Sequence, residues 1–342
     1  MLANDFISWL LIYLPACSVG LTLLLALLLD KFLGEARQYH YLVGFGWLAN
    51  QCEKRINIDN SKQLEDPSLA PAFNKKNAIL GALSWALLVL PLPLLYFFYL
   101  NDLVWYLQIL CDASVLYFAI GLNSLHQHAM QVYLPIKANN LKEARRFTGY
   151  LVSRETSTLT PDEMSRATVE SMLENGHDSV IASMVYFIIG GAPLVILHRF
   201  ANTLDAMWGY RTPQFNAFGF ASARLDDLLG FFSAKVCTLL YALQSKSLKT
   251  LTQALKNSAS QGNQYKSHNG GWVMAAGATM MNIKLGGNAS YHGKLIKSVT
   301  LGCGNNINIE DIPKSVLLVK RAAILLTVMS IVTNLFIANY LG

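Results

Sequence analysis

The chain has 342 residues, 53% of them hydrophobic and only 14% charged, with a mean hydropathy of +0.33. So few charges cannot solvate the surface of an ordinary globular domain of this size, which excludes a soluble protein and points to a bilayer. The formal net charge of +6 does not call for nucleic acid, because the basic residues lie in loops between apolar segments, where the positive-inside rule puts them.

A membrane-crossing helix needs about 20 mostly apolar residues. Residues 6–29 and 78–100 meet that length without a charge. Residues 103–123 tolerate one acid, Asp112, and 317–341 hold Lys320 and Arg321 in the first turn, where they can snorkel to the interface. Two weaker segments follow the third. Residues 180–197 are interrupted by Gly190-Gly191-Ala192-Pro193, and 228–243 are short with Lys235 in the middle; each reads either as a span or as a re-entrant segment. The expected fold class is all-α, a polytopic helical membrane protein with 4–6 membrane segments and cytoplasmic helical and loop regions. No cleavage motif precedes 6–29, so that segment is expected to be a retained anchor.

Only Asp5 is charged before the first segment, whereas lysines and arginines follow it. That places 31–77 in the cytoplasm, and with it 124–178 and 244–316, with both termini outside. The link Asn101-Asp102 makes a hairpin of the second and third spans.

The hydrophilic regions carry the candidate chemistry. Thr160-Pro161-Asp162-Glu163 predicts a helix start with a capping box and a proline at the first position. Along that helix Glu170, Glu174 and Asp178 fall at i, i+4 and i+8, one face by helical spacing. A solvated acidic face is the plain reading; its continuation into an apolar segment favours a cation such as Mg²⁺ or an arginine partner. His177 reads as an interfacial polar residue. Asn202 to Arg211 and Ala223 to Asp227 each abut an apolar stretch, where Asp205 could cap a helix and Arg224 could pair with Asp226. Residues 244–316 are rich in Gly, Ser, Asn and Lys against only Glu310 and Asp311; their glycine runs lack the Gly-Lys-Ser/Thr of a phosphate-binding loop and read as a flexible loop. The five scattered cysteines form no CxxC pair, so neither a disulfide framework nor a thiolate metal site is expected.

Taken together, these blocks resemble the CobD/CbiB family nearly end to end. Gly34-Glu35-Ala36 through His40-Tyr41-Leu42-Val43-Gly44-Phe45-Gly46 is similar to the family's G-[DE]-P...H-P-L-V-x-F-G, and Ser153-Arg154-Glu155-Thr156 to its S-R-D-T. Val169 to Asp178 resembles V-E-S-x-x-E-N-x-x-D. The 202–211 and 223–227 runs match the most specific blocks, and Asn269-Gly270-Gly271-Trp272 and Gly286-Gly287...Tyr291...Gly293 add two more. Prolines of the motifs are replaced at Ala36, Tyr41, Ser183, Ser233, His268, Val273 and Asn288, an Asp by Glu155, an Asn by Gly230 and an Arg by Lys235, while the acidic and arginine positions stand.

The resemblance implies an ATP-dependent amide ligase of the inner membrane, its active site facing the cytoplasm. It would join aminopropanol, or its O-phosphate, to a propionate carboxylate of adenosylcobyric acid. ATP and Mg²⁺ are the implied co-substrate and metal, and other late cobalamin-pathway membrane enzymes the implied partners. On that view Glu174, Asp178, Asp205, Arg224 and Asp226 are catalytic, and Glu170, Glu174, Asp178 and Asp227 hold metal. Arg154, Asn175, Asn202, Tyr210, Arg211, Asn269 and Trp272 bind substrate. A non-enzymatic signalling protein of the AmpE type shares remote resemblance, but has no evident need of the 202–211 and 223–227 blocks.

Overall fold

The computed structural model describes residues 14–34, 41–59, 73–152, 155–287, 289–291, 294–296 and 298–340. Residues 6–13 of the first expected span, the 35–40 part of the first motif, and Arg154 lie outside them. Within them the chain is helical almost throughout. After α1 (Ser18–Leu33) and α2 (Tyr41–Ile56), α3 (Lys75–Val89) runs on through Leu90 into α4 (Pro91–Leu100), and α5 (Trp105–Ala119) returns beside them. Asn74 caps α3 by accepting from the Asn77 N–H at 3.3 Å, and Pro91 opens α4 where no backbone donor is needed.

Four described stretches are long and apolar enough to cross a bilayer: Lys75–Leu100, Trp105–Lys137, Pro161–Trp208 and Asp311–Tyr340. Their outer faces carry exposed Leu83, Leu87, Phe98 and Phe336, the side chains a lipid environment solvates. The chain is a polytopic helical membrane protein. Residues 228–243 fall in α10 (Phe220–Ala242), which is not among the four.

The third stretch folds back on itself. It comprises α8 (Pro161–Asn175), a π-helical turn at Gly176–Ile181, and α9 (Ala182–Trp208). Inside α9, Gly190 (φ −156°, ψ 29°) and Gly191 (φ 65°, ψ −161°) leave helical geometry. Gly191 occupies a region essentially reserved for glycine, and Pro193 two residues on cannot continue the earlier hydrogen-bond ladder. The chain reverses there: Tyr186 stacks on His198 with ring centroids 5.0 Å apart, where a straight helix would hold them about 18 Å apart. Arg199 Nη1 likewise reaches the Asp178 carbonyl at 3.5 Å.

Between α9 and α10 the 209–219 connection rests on α3. Gly81 makes the approach possible, since a Cβ there would collide with the Phe218 carbonyl. A buried polar network then pins the connection. Gln214 Nε2 donates to Glu53 Oε1 at 2.9 Å, and Asn57 Nδ2 donates to Glu53 Oε1 and to the Gln214 carbonyl, both at 3.0 Å. Asn77 Nδ2 donates to Asn57 Oδ1 and Asp59 Oδ2, both at 2.8 Å.

Residues 244–316, read from sequence as a flexible loop, contain α11 (Leu248–Asn257), α12 (His268–Met281) and short antiparallel pairs, β1 (Lys284–Gly286) with β4 (Thr300–Gly302) and β2 (Ala289–Tyr291) with β3 (Lys294–Ile296). Ser247 and Ser267 cap the two helices, and Val273, Met274 and Ala276 of α12 are fully buried. Composition concealed this helix because small residues pack it tightly against its neighbours. The closing helix, α13 (Asp311–Tyr340), lies against α6 (Leu122–Lys137), which α7 (Leu141–Leu151) follows, and against α8 and α1.

Candidate active site

The reversal at Gly190–Gly191 places the start of the hairpin, Asp178, beside its second arm. His177 Nδ1 meets Asp178 Oδ1 at 2.7 Å, and His177 Nε2 lies 2.9 Å from Ser233 Oγ on α10. The imidazole is 1% exposed, so it is a buried strut orienting Asp178 and not the interfacial residue its position suggested. Ser233 is one of the positions where the related motif has proline, and its hydroxyl, which proline lacks, completes this strut. Asp178 itself keeps 35% of its side chain exposed, which leaves an oxygen for a ligand.

Other acids converge on it from distant parts of the chain. Asp205, near the end of α9, lies within electrostatic reach of Asp178 and Asp227. Asp226, in the second turn of α10, feels Asp178, Asp205 and Asp227 and accepts a hydrogen bond from Asn202. Burial, and then the charges of Asp178 and Asp205, push the Asp226 carboxyl up to about 8, against the lowering effect of Asn202. Glu174 feels Asp178, Lys266 and Glu170, and its carboxylate lies over Gly270 in the first turn of α12, where helix N–H groups favour an anion. Asn269 of the same turn donates Nδ2 to the Asp227 carbonyl at 2.9 Å, joining α12 to α10.

Next to this cluster the 209–219 connection and α10 enclose a cleft of about 280 Å³. Tyr210, Arg211, Arg224 and Asp227 line it together with Phe220, over whose ring Arg224 lies at 5.5 Å. Two guanidinium groups beside a carboxylate suit a phosphate held with a cation.

Several expected site residues are engaged elsewhere. Glu170 Oε1 accepts from the Gly286 N–H at 2.7 Å and so anchors the β1 strand to α8. Asn175 turns its amide back on Ser171. The Trp272 ring lies under Lys235 Nζ, 3.0 Å from the centroid, and its Nε1 donates to Asn263. Conversely His198 and Arg199, buried or half-buried beside Asp178, were not singled out from sequence. Their signal was present: two ionisable residues close an apolar segment.

Among the described residues no group of three or more His, Cys, Asp or Glu side chains stands close enough to hold a metal by itself. The donor set still fits Mg²⁺, which binds through one or two carboxylates plus substrate phosphates and keeps several waters. Asp178, Asp205 and Asp227 supply such oxygens beside a cationic cleft.

Comparison with known proteins places the chain among relatives of one kind. The family model described as CobD/Cbib protein matches residues 23–319. A cobalamin biosynthesis protein CobD of Stutzerimonas stutzeri (strain A1501) is 42% identical over 84% of this chain and 89% of its own length. The protein of the same name from Chromobacterium violaceum is 38% identical over 93% of this chain and 97% of its own, and that of Halalkalibacterium halodurans 32% identical over 90% and 94%. No solved structure matches.

Proposed function

This chain belongs to the CobD/CbiB family and has a role in cobalamin biosynthesis, and on that premise we propose that it is an ATP-dependent amide ligase acting on a corrinoid acid. The reaction joins aminopropanol, or its O-phosphate, to a propionate carboxylate of adenosylcobyric acid. A carboxylate does not lose oxygen to an amine unaided. ATP transfers a phosphoryl group to it, the amine nitrogen attacks the acyl carbon, the C–N bond forms and inorganic phosphate leaves with the oxygen.

One observation carries the reading: the chain reversal at Gly190–Gly191 gathers Asp178, Asp205, Asp226 and Asp227, distant in sequence, beside one cleft with Arg211 and Arg224. Mg²⁺ held by one or two of Asp178, Asp205 and Asp227 would offset phosphate charge during transfer. Arg211 and Arg224 clamp phosphate oxygens. Asp226, its carboxyl raised to about 8 mainly by burial, takes a proton from the aminopropanol ammonium, freeing the lone pair for attack. His177 and Asn202 orient Asp178 and Asp226.

Both ends of the site face the cytoplasm in this reading, because ATP and the corrinoid acid are there. The hairpin around Gly190–Gly191 dips into the inner membrane and returns, so Asp178 and Asp205 share a side. Complementation of a strain blocked between cobyric acid and cobinamide tests the assignment: the wild-type gene restores growth on cobyric acid and Glu174→Gln does not. Failure of the wild-type gene in a strain where its protein accumulates in the membrane would sink it.

A further inference from the structure

A second cleft, of about 700 Å³, lies where the end of α10, α11, the end of α12 and the first turns of α13 meet. It is remote from the acidic centre: α12 runs from Asn269 beside Asp227 to Met281 at this cleft, about 18 Å along its axis. Its rim carries Lys246, Lys249, Lys314 and Arg321, all exposed. Lys314 pairs with Asp311 at 2.9 Å. Lys246, Lys249 and Arg321 have no carboxylate partner among the described residues.

The position of this charge is as informative as its sign. From Arg321 to Tyr340 α13 carries no further charge, a run of about 28 Å that matches the hydrocarbon thickness of a bilayer. Arg321 therefore stands at the hydrocarbon boundary and Lys314 about 10 Å further out, in the head-group layer. Leu317, 43% exposed, supplies an apolar wall between them. Beside it Leu248, 76% exposed, precedes Lys249 on α11, the pairing of apolar and basic side chains that seats a helix on a membrane surface. Gln244 adds a buried side-chain oxygen that no donor reaches, an acceptor suited to a hydroxyl.

We propose that this cleft binds the head group of an anionic phospholipid, its phosphate held by Lys246, Lys249 and Arg321 and its acyl chains running from Arg321 into the bilayer along exposed Ile324 and Val328. Basic recesses between membrane helices at the charged side of a bilayer recruit such lipids. A soluble phosphate compound offers the same charge but no use for the apolar wall or for the depth of Arg321.

Native mass spectrometry of the full-length protein released from detergent tests this, with phosphatidylglycerol as probe, phosphatidylcholine as the zwitterionic control and inorganic phosphate as the soluble competitor. The wild type retains phosphatidylglycerol in preference to phosphatidylcholine, and Lys246→Gln/Lys249→Gln/Arg321→Gln lowers that retention about tenfold or more. Lys249→Gln alone, a single change on an exposed side chain, gives a smaller loss in the same direction and serves if the triple variant does not fold. Equal retention of both lipids, unchanged retention by the variants, or displacement of phosphatidylglycerol by equimolar inorganic phosphate each overturns the proposal.

Discussion

His198 stacks on Tyr186 with ring centroids 5.0 Å apart and planes inclined by 22°, and this contact closes the hairpin that brings Asp178 and Asp205 to one place. The hinge depends on Gly191, whose φ of 65° and ψ of −161° cost any other residue about 1–3 kcal/mol. Gly191→Ala should lower the stability of the detergent-solubilised protein by that amount and reduce activity with it; an unchanged melting curve would show that the reversal is not held there.

On the proposed reading the same hairpin also sets sidedness. With its two arms returning to one side, cysteines placed at Thr158 and Thr212 in a cysteine-free background should both resist an impermeant thiol reagent in intact cells and react once the inner membrane is opened. Labelling of Thr212→Cys alone from outside would mean that 180–197 crosses the bilayer.

Asp226 gives the site a pH signature. Its carboxyl is raised from 3.8 to about 8 in the folded protein, mainly by burial, so between those values the folded chain holds a proton that the unfolded chain has released. Stability of the metal-free protein should therefore fall as pH rises from about 4 to about 8 and level off above. Asp226→Asn should remove that part of the slope while lowering turnover about 10²-fold or more. A variant with the wild-type pH profile would show that Asp226 titrates normally.

Glu53 and Gln214 connect the first hydrophilic region to the cleft at 2.9 Å, with Asn77 completing the buried network. Asn77→Leu removes the amide that donates to both Asn57 Oδ1 and Asp59 Oδ2 and should cost about 1–3 kcal/mol. Because Tyr210 and Arg211 ride on the same connection, KM for the phosphate-bearing substrate should rise more than kcat falls. Equal losses in both would argue for a purely structural network.

The local features were legible in the sequence where short-range chemistry sets them. The capping box at Thr160 and Glu163 is present, and the Gly-Gly-Ala-Pro interruption marked the place where the chain turns. Asp205, Asp226 and Asp227 stood out as acids flanking apolar stretches. What sequence could not give was distance. Helical spacing put Glu170, Glu174 and Asp178 on one face, and Glu174 feels both of the others, but Glu170 also accepts from Gly286, far along the chain. The Glu53–Gln214 contact and the His177–Ser233 strut are likewise long-range pairs with no periodicity to betray them. The helix at His268–Met281 was hidden by its own glycines, which lower helix propensity yet allow the packing that buries it.

Direct reconstitution decides whether the protein is an amide ligase. The purified protein in lipid nanodiscs, supplied with adenosylcobyric acid, aminopropanol or its O-phosphate, ATP and Mg²⁺, should convert the corrinoid to a species heavier by one amide-linked amine, with equimolar ADP, and Asp178→Asn should make neither. An amide product formed without ATP, or no product from either amine with a well-folded protein, would rule out an ATP-dependent ligase.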